Sequence, residues 1–133
     1  MSKQKPTLKD YMTAHPYSIG IEQTLEKAHE LMRKHLIRHL PVLHGGKLEG
    51  ILSLRDLQFI ETLPDVDPTA IRVDEAMSSD VYTASSDESL ADAARVMAQR
   101  KLGSAVVVEH GKVVGLFTTV DALRALADAI EAE

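Results

Sequence analysis

Apolar residues along this chain follow a helical pattern that occurs twice. The positions with the spacing i, i+3, i+7 of an amphipathic helix are Leu25, Ala28, Met32 and Leu36, and later Leu90, Ala93 and Met97. Each helical segment is followed by a short apolar run typical of a strand, LPVL in the first case and SAVVVE in the second. The first helix should end before Pro41, because a proline ring disfavours a helical conformation at the residue before it.

The whole pattern is an internal repeat with a shift of 65 residues. This shift aligns residues 8–60 with residues 73–125 without a gap. The identical pairs are Met12/Met77, Tyr17/Tyr82, Leu25/Leu90, Ala28/Ala93, Met32/Met97, Val42/Val107, Gly46/Gly111, Lys47/Lys112, Gly50/Gly115 and Asp56/Asp121. Between the copies, Pro64 and Pro68 with neighbouring polar residues interrupt any regular pattern. We therefore predict one repeat over residues 1–63, a linker over 64–72 and a second repeat over 73–133.

Each copy is predicted to fold as β-α-β-β-α. The expected elements are extended pieces at 17–21 and 81–84, turns at 44–47 and 109–112, returning strands at 48–54 and 113–118, and second helices starting near Asp56 and Asp121. The turn glycines suit positive φ angles. Helices of this length cannot cover both faces of such a small sheet, so we predict an α+β fold of two copies packed sheet to sheet, with helices outside. The four paired methionines should lie in the core.

A polar motif recurs where the last strand of each copy passes into its second helix. In both copies a glycine is followed by two apolar residues, a hydroxyl residue, two variable residues and an aspartate. The sequences are GILSLRD, which ends at Asp56, and GLFTTVD, which ends at Asp121. Ser53 and Thr118 can cap the helices, and the pattern is also simply a capping box. Its recurrence at one phase of the repeat, after a glycine that permits close approach, favours a binding function.

Composition narrows the class of protein. The 133 residues are 44% hydrophobic, enough for a buried core, and carry a formal net charge of -5, which disfavours a nucleic-acid partner. The absence of cysteine excludes disulfides, thiolate nucleophiles and zinc-thiolate sites. No apolar run is long enough to span a membrane, so we expect a soluble cytoplasmic protein that binds neither membrane nor nucleic acid.

Catalytic and metal-binding motifs are not found. His29-Glu30 begins like a zinc-protease helix, but Arg33 stands where that motif has its second histidine. His35 and His39 are four residues apart, yet the pattern places one at a helix end and the other in a strand, so they do not share a face. We expect no enzyme activity, no metal and no cofactor, with a hydrolase or metal enzyme kept as a remote alternative.

Taken together, the repeated segments resemble a tandem pair of cystathionine-beta-synthase (CBS) domains, also called a Bateman module. The resemblance covers residues from about Lys9 to Leu126. It implies pseudo-twofold pairing of the two sheets and two clefts between the copies. Such clefts commonly bind AMP, ADP, ATP, S-adenosylmethionine or cyclic dinucleotides.

The resemblance also implies which residues bind the ligand. Asp56 and Asp121 would accept the ribose hydroxyls, with Ser53 and Thr118 beside them. Phosphate contacts would fall to Arg38, His39 and Arg55, and Ser104 takes the place of His39 in the second copy. The base would lie near Tyr17, Ile19, Tyr82 and Ala84. Each cleft takes residues from both copies, so either cleft can be the one that holds the phosphates.

The two sites are not expected to be equivalent. Gly103 and Ser104 replace the Arg38-His39 pair, and Val120 replaces Arg55. Residues 1–65 carry nine Lys/Arg and eight Asp/Glu, whereas residues 66–133 carry six and twelve. The difference, +1 against -6, favours an anion near the first copy, unless these charges are only a solvated surface.

Two functions fit these features. The first is a non-enzymatic regulatory sensor that binds an adenosyl ligand and acts on an effector protein in trans. The second is a structural dimerisation module whose clefts are vestigial and bind nothing. The resemblance implies a homodimer, a flat disc of four repeats, in either case.

Overall fold

The computed structural model describes residues 5–132. The strands are β1 (Thr13–Ala14), β2 (Ile19–Gly20), β3 (His39–His44), β4 (Lys47–Ser53), β5 (Thr83–Ala84), β6 (Ser104–Glu109) and β7 (Lys112–Thr118). The helices are α1 (Leu25–His35), α2 (Leu54–Glu61), α3 (Leu90–Arg100) and α4 (Thr119–Glu131), and two 3-10 turns lie at Leu8–Asp10 and Val73–Glu75. The predicted α+β fold and the β-α-β-β-α order of both copies are confirmed. None of the helices within residues 5–132 is long and apolar enough to cross a bilayer.

The compact units of the chain do not coincide with the sequence repeats. One unit is Tyr17–Val81, and the other combines Met1–Pro16 with Tyr82–Glu133. The segment that opens the first copy thus packs with the second copy, where β1 pairs antiparallel with β7. In return, the segment that opens the second copy packs with the first, where Ile51 and Ser78 exchange two backbone hydrogen bonds of 2.9 Å. The ends of the predicted repeats, residues 1–4 and 133, lie outside the described residues.

The exchange is reciprocal down to single hydrogen bonds. The N–H of Leu25 donates to the carbonyl of Ile71 (2.9 Å), and one repeat later the N–H of Leu90 donates to the carbonyl of Pro6 (3.0 Å). These amides belong to the first turns of α1 and α3, which have no partner within their own helix. The predicted linker is therefore part of the Tyr17–Val81 unit, where it satisfies the start of α1.

The Tyr17–Val81 unit is built on the three-stranded sheet β2-β3-β4. β2 is parallel to β3, and β3 is antiparallel to β4. The buried residues of its core are Ile19, Leu25, Ala28, Met32, Leu40, Val42, Leu52, Leu57 and Val73. Val73 comes from the exchanged segment, so this core needs residues from both sequence copies.

The second unit repeats this architecture with one additional strand. Its sheet has the order β1-β7-β6-β5, in which β1 is supplied by the N-terminal segment. The buried residues of its core are Leu8, Ala84, Ala93, Met97, Ala105, Val107 and Phe117. Leu8, which is completely buried, also comes from the exchanged segment.

Local sequence explains where α1 begins and ends, with one correction. The side chain of Thr24 caps the helix by accepting a hydrogen bond from the N–H of Lys27 (3.2 Å). Leu36 was expected on the apolar face of this helix, and that prediction is wrong. Leu36 is the C-cap in the left-handed conformation (φ 55°), and its side chain is 90% exposed. The helix ends at His35, one residue before the last apolar position of the pattern, because the chain turns at Leu36 towards β3.

The remaining boundaries differ from the sequence prediction by a few residues. The first extended pieces are shorter than expected, only two residues in β2 and β5. The second helices begin at Leu54 and Thr119, two residues before the motif aspartates. Of the four repeated methionines, Met32 and Met97 are buried, whereas Met12 and Met77 are half-buried against the two cores.

Candidate functional site

The motif of the first copy lies at the point where β4 passes into α2. Ser53 is the N-cap of α2, and its Oγ accepts a hydrogen bond from the N–H of Asp56 (3.1 Å). Strand register places His39 opposite Ser53, and the N–H of Leu54 donates to the carbonyl of Arg38 (2.8 Å). The antiparallel pairing therefore brings four predicted site residues, at 38, 39, 53 and 56, to one end of one sheet.

The carboxylate of Asp56 is exposed at this end of the sheet. Within residues 5–132 it has no hydrogen-bond or ion-pair partner. The negative charge of Asp56 acts to raise the pKa of His39. Two larger effects, burial of the imidazole and the charge of Arg38, lower it. Arg55, the next predicted site residue, is also exposed in the first turn of α2. Asp56 and Arg55 are thus accessible to a ligand from solvent.

His39 has a pKa below the ordinary value of 6.5. Burial of the imidazole is the main cause, and the positive charge of Arg38 acts in the same direction. The negative charge of Asp56 opposes both. In this environment the ring is neutral at neutral pH, so it can donate or accept one hydrogen bond without adding a charge to the site.

Tyr17 contributes an aromatic surface in the same unit. Its ring stacks on the imidazole of His35, with the centroids 3.7 Å apart and the planes 14° from parallel. The Tyr17 side chain remains 52% exposed. Sequence reasoning placed Tyr17 near a base but missed His35 as its partner. The signal was available, because His35 ends α1 and so lies beside the start of β3.

The second copy uses the same backbone scaffold. Ser104 lies opposite Thr118 in the sheet, and the N–H of Thr119 donates to the carbonyl of Gly103 (3.2 Å). Ser104 and Thr118, both predicted site residues, therefore lie together. The geometry that positions the motif is thus shared by the copies, and the differences lie in the side chains.

Asp121 is surrounded quite differently from Asp56. It is only 5% exposed, and its Oδ2 accepts hydrogen bonds from the N–H (2.9 Å) and hydroxyl (3.3 Å) of Thr118. Its Oδ1 forms an ion pair of 2.7 Å with the guanidinium of Arg124. Sequence reasoning missed Arg124, although its i, i+3 spacing from Asp121 could have indicated the pair.

The residues predicted to surround the base fall into two groups. Ile19 and Ala84 are buried strand residues that belong to the two cores. Tyr82 is half-buried, and its hydroxyl donates to Glu88 (2.6 Å). Burial, followed by this hydrogen bond, raises the pKa of Tyr82 to about 12. The guanidinium carbon of Arg100 lies 5.8 Å from the centre of the Tyr82 ring. Arg100 and Tyr82 are one repeat after His35 and Tyr17, so this contact corresponds to the stacking of His35 on Tyr17.

The net charges of the two compact units do not follow the asymmetry between the two sequence halves. Tyr17–Val81 contains seven Lys/Arg and eleven Asp/Glu, whereas the other unit contains eight and nine. The net charges are therefore -4 and -1, the reverse of the expected asymmetry. Any preference for an anion at the first copy depends on the individual residues Arg38, His39 and Arg55. In the part of the chain described, no group of three or more His, Asp or Glu residues could hold a metal ion.

Comparison with known proteins agrees with this architecture. The family model of the CBS domain matches residues 8–60 and 73–128. The CBS domain-containing protein YhcV of Bacillus subtilis is 30% identical over 115 residues, which are 86% of this chain and 81% of that protein. The chain belongs to the CBS domain family and carries the domain twice.

Two further relatives show the contexts in which similar pairs occur. Inosine-5'-monophosphate dehydrogenase of Korarchaeum cryptofilum is 34% identical over 122 residues, which are 91% of this chain but 24% of that enzyme. The solved CBS domain pair of protein MJ0100, in complex with 5'-methylthioadenosine and S-adenosyl-L-methionine, has a TM-score of 0.83 and 26% identity. That match covers 95% of this chain and 99% of the other. The fold is thus that of a CBS domain pair.

Proposed function

We propose that this CBS pair is a non-enzymatic regulatory sensor that binds an adenosyl ligand. The observation that carries the proposal is the exposed carboxylate of Asp56, which lacks a partner in residues 5–132 and belongs to a residue whose backbone N–H donates to the hydroxyl of Ser53. A carboxylate accepts two hydroxyl hydrogen bonds at once, and charge-assisted bonds are the stronger kind. The cis-diol of a ribose presents two such donors.

The surroundings of Asp56 suit the rest of a nucleotide. Arg38 and Arg55 are exposed cations, Arg38 directly before β3 and Arg55 in the first turn of α2, and His39 lies opposite Ser53 in the sheet register. Guanidinium groups match phosphate oxygens in charge and geometry. Elsewhere in the same unit, the ring of Tyr17 that stacks on His35 is an aromatic surface of the kind on which a base can lie.

A solved relative supports the class of ligand. The CBS pair of MJ0100 is described in complex with two adenosyl compounds, and 26% of aligned residues are identical. The adenosyl group is common to those compounds and to AMP, ADP and ATP. We therefore propose the adenosyl group as the shared element, with the choice among these ligands made by the residues around Asp56.

Isothermal titration calorimetry tests the proposal. The ligands are AMP, ADP, ATP, S-adenosylmethionine and 5'-methylthioadenosine, and the proteins are the parent, Asp56→Asn and the control Glu49→Gln. Glu49 is an exposed carboxylate in β4 near the opposite end of the strand from Ser53. We expect heat from at least one ligand with the parent and the control, and binding at least about tenfold weaker with Asp56→Asn. No heat from any ligand would refute the proposal.

A separate assay tests the non-enzymatic part. Each ligand is incubated with purified protein and its concentration is followed by chromatography. We expect no loss over time at protein concentrations above the dissociation constant. A loss that is linear in time and proportional to protein would show turnover and would replace the sensor with an enzyme.

One observation favours a second candidate function, pairing between two copies of the chain. Four apolar side chains on α4 are each more than half exposed, namely Val120, Leu123, Leu126 and Ile130. Their spacing of three, three and four residues places them on one continuous stripe of the helix. Burial of such a stripe against a second copy would remove apolar surface from water.

Analytical ultracentrifugation tests this pairing. We expect the parent to sediment as a dimer. The double variant that combines Leu123→Glu and Ile130→Glu should sediment as a monomer. Ala129→Glu, an exposed position of α4 outside the stripe, is the control for added charge. If the parent is still a monomer at a protein concentration of about 100 µM, this candidate function is refuted.

A further inference from the structure

We infer that only one of the two motif aspartates serves a ligand, so that the chain binds one adenosyl ligand, at Asp56. Asp121 instead holds the N-terminal segment of the chain on the second copy. This inference rests on the proposed function and specifies where in the chain that function lies. It is argued from the partners of the two aspartates.

Both oxygens of the Asp121 carboxylate are already used. Oδ2 accepts from the backbone and side chain of Thr118, and Oδ1 pairs with Arg124 at 2.7 Å. The side chain is 7% exposed, so water contributes little to its solvation. A ribose diol could bind here only by displacing the guanidinium, which would leave a nearly buried carboxylate without its cation. Asp56 needs no such displacement.

Arg124 connects Asp121 to the N-terminal segment. The same guanidinium nitrogen that pairs with Asp121 donates to the backbone carbonyl of Tyr11 (3.2 Å). The hydroxyl of Tyr11 in turn donates to Asp128, one turn further along α4, at 2.6 Å. Residues 121, 124 and 128 have the spacing of one helix face. We call this group of four side chains, from Tyr11, Asp121, Arg124 and Asp128, the α4 clasp.

The first copy keeps the aspartate but lacks the rest of the clasp. At the positions one repeat earlier, Phe59 replaces Arg124 and Leu63 replaces Asp128. Ala76 stands where the second unit has Tyr11. None of these residues can donate to or pair with a carboxylate through its side chain. This explains why Asp56 is unpaired and exposed while Asp121 is neither.

The cations around the motif also favour a ligand at the first copy and not at the second. Arg38 and Arg55 have Gly103 and Val120 as their counterparts in the second copy. Neither replacement can bind a phosphate with its side chain. The only cation beside Asp121 among the interactions described is Arg124, and it is committed to the clasp. The first copy therefore has the residues that can bind a ligand, and the second copy has the residues that form the α4 clasp.

Calorimetric stoichiometry and thermal unfolding test the inference together. The ligands are the five adenosyl compounds named above. The variants are Asp56→Asn, Asp121→Asn, Arg124→Gln and Phe59→Arg. We expect one site per chain in the parent and binding at least about tenfold weaker in Asp56→Asn. Asp121→Asn and Arg124→Gln should bind within about twofold of the parent but melt at lower temperature, because they open the clasp.

Phe59→Arg places the clasp guanidinium beside Asp56. Phe59 is exposed, so the substitution should fold, and we expect it to weaken ligand binding by about tenfold through competition for the carboxylate. Asp128→Ala, which removes the acceptor of the Tyr11 hydroxyl without touching either motif, controls for loss of stability alone.

The outcomes separate this inference from the proposed function. Two sites per chain, or weaker binding in a folded Arg124→Gln variant, would overturn the inference and leave the adenosyl sensor intact. No binding of any ligand by the parent would overturn both the single site and the proposed function. Unchanged melting temperatures in Asp121→Asn and Arg124→Gln would overturn the assignment of the clasp, whatever the ligand does.

Discussion

Met77 packs its sulfur against Gly50, 2.5 Å from the position that a β-carbon on that glycine would occupy. Met12 packs in the same way against Gly115, one repeat away in both residues. In each pair the methionine belongs to one sequence copy and the glycine to the other. The glycine that opens the motif is therefore required by the exchanged segment that lies on it.

Alanine at the two glycines should have unequal effects. At Gly50 the new methyl would meet the backbone carbonyl of Ser78 (2.7 Å) as well as Met77, and the backbone cannot move without breaking the bridge to Ile51. At Gly115 the three nearest atoms all belong to the flexible side chain of Met12. We expect Gly50→Ala to lower the free energy of unfolding by at least about 2 kcal/mol and Gly115→Ala by less.

Urea unfolding checks this expectation on five proteins: the parent, Gly50→Ala, Gly115→Ala, Gly50→Ala combined with Met77→Ala, and Gly115→Ala combined with Met12→Ala. Truncation of Met12 should partly rescue Gly115→Ala, because it removes the clashing atoms. Truncation of Met77 should not rescue Gly50→Ala. Equal losses at the two glycines, or equal rescue, would contradict the role of the Ser78 carbonyl.

The exchange of segments predicts which fragments of the chain fold. Residues 17–81 form one compact unit from continuous chain and should show a cooperative thermal transition. Residues 1–72, cut at the sequence repeat, lack Val73 and Met77 of that unit and should not. Circular dichroism on both fragments makes the comparison, and a stable fold for 1–72 alone would show that the exchanged segment is dispensable.

The lowered pKa of His39 predicts a loss of stability in mild acid. The unfolded chain takes up the proton near pH 6.5, whereas burial and Arg38 delay uptake in the folded state. The contribution of His39 is therefore fully present above pH 6.5 and is lost as the pH falls below that value. Between about pH 7.5 and about pH 5.5, the free energy of unfolding should fall more in the parent than in His39→Gln. Identical slopes for the two proteins would show that the imidazole is not desolvated.

The same histidine predicts proton uptake with a phosphorylated ligand. A phosphate near His39 favours the protonated ring and opposes the effects that now lower its pKa. AMP binding near neutral pH should therefore show a heat that depends on the ionisation enthalpy of the buffer, and His39→Gln should reduce that dependence to the part that comes from the phosphate itself. S-adenosylmethionine, which has no phosphate, is the matched ligand control.

The raised pKa of Tyr82 predicts that the protein loses stability at alkaline pH. Burial and the hydrogen bond to Glu88 raise its pKa from 10.0 to about 12, so the folded state keeps the proton after the unfolded state has released it. This contribution is present below pH 10 and is lost as the pH rises toward about 12. Unfolding of Tyr82→Phe should depend less steeply on pH in this range. Glu88→Gln, which removes the charge but keeps an acceptor, should lie between the two.

The element order, the two copies and the helix caps could all be predicted from sequence, because they depend on local spacing and on residue types. Thr24, Ser53 and Thr118 cap the helices by contacts within three residues, and such contacts can be recognised along the chain. The end of α1 was misplaced because Leu36 continues the apolar spacing while the backbone has already turned. A position in a pattern does not show which way the chain goes next.

The sequence alone also established that the two motifs are homologous and that their basic neighbours differ. It could not establish that residues 8–12 pack with the second copy, because the repeat alignment is the same whether segments are exchanged or not. Asp56 and Asp121 are identical in type and phase, and the signal in the sequence that separates them is Arg124 three residues after Asp121, where the first copy has Phe59. What the sequence does not show is that the same Arg124 also donates to the carbonyl of Tyr11, a contact that ties the ion pair to the N-terminal segment where β1 pairs with β7. The tertiary structure decided it, because the environment of a carboxylate is set by its neighbours in space.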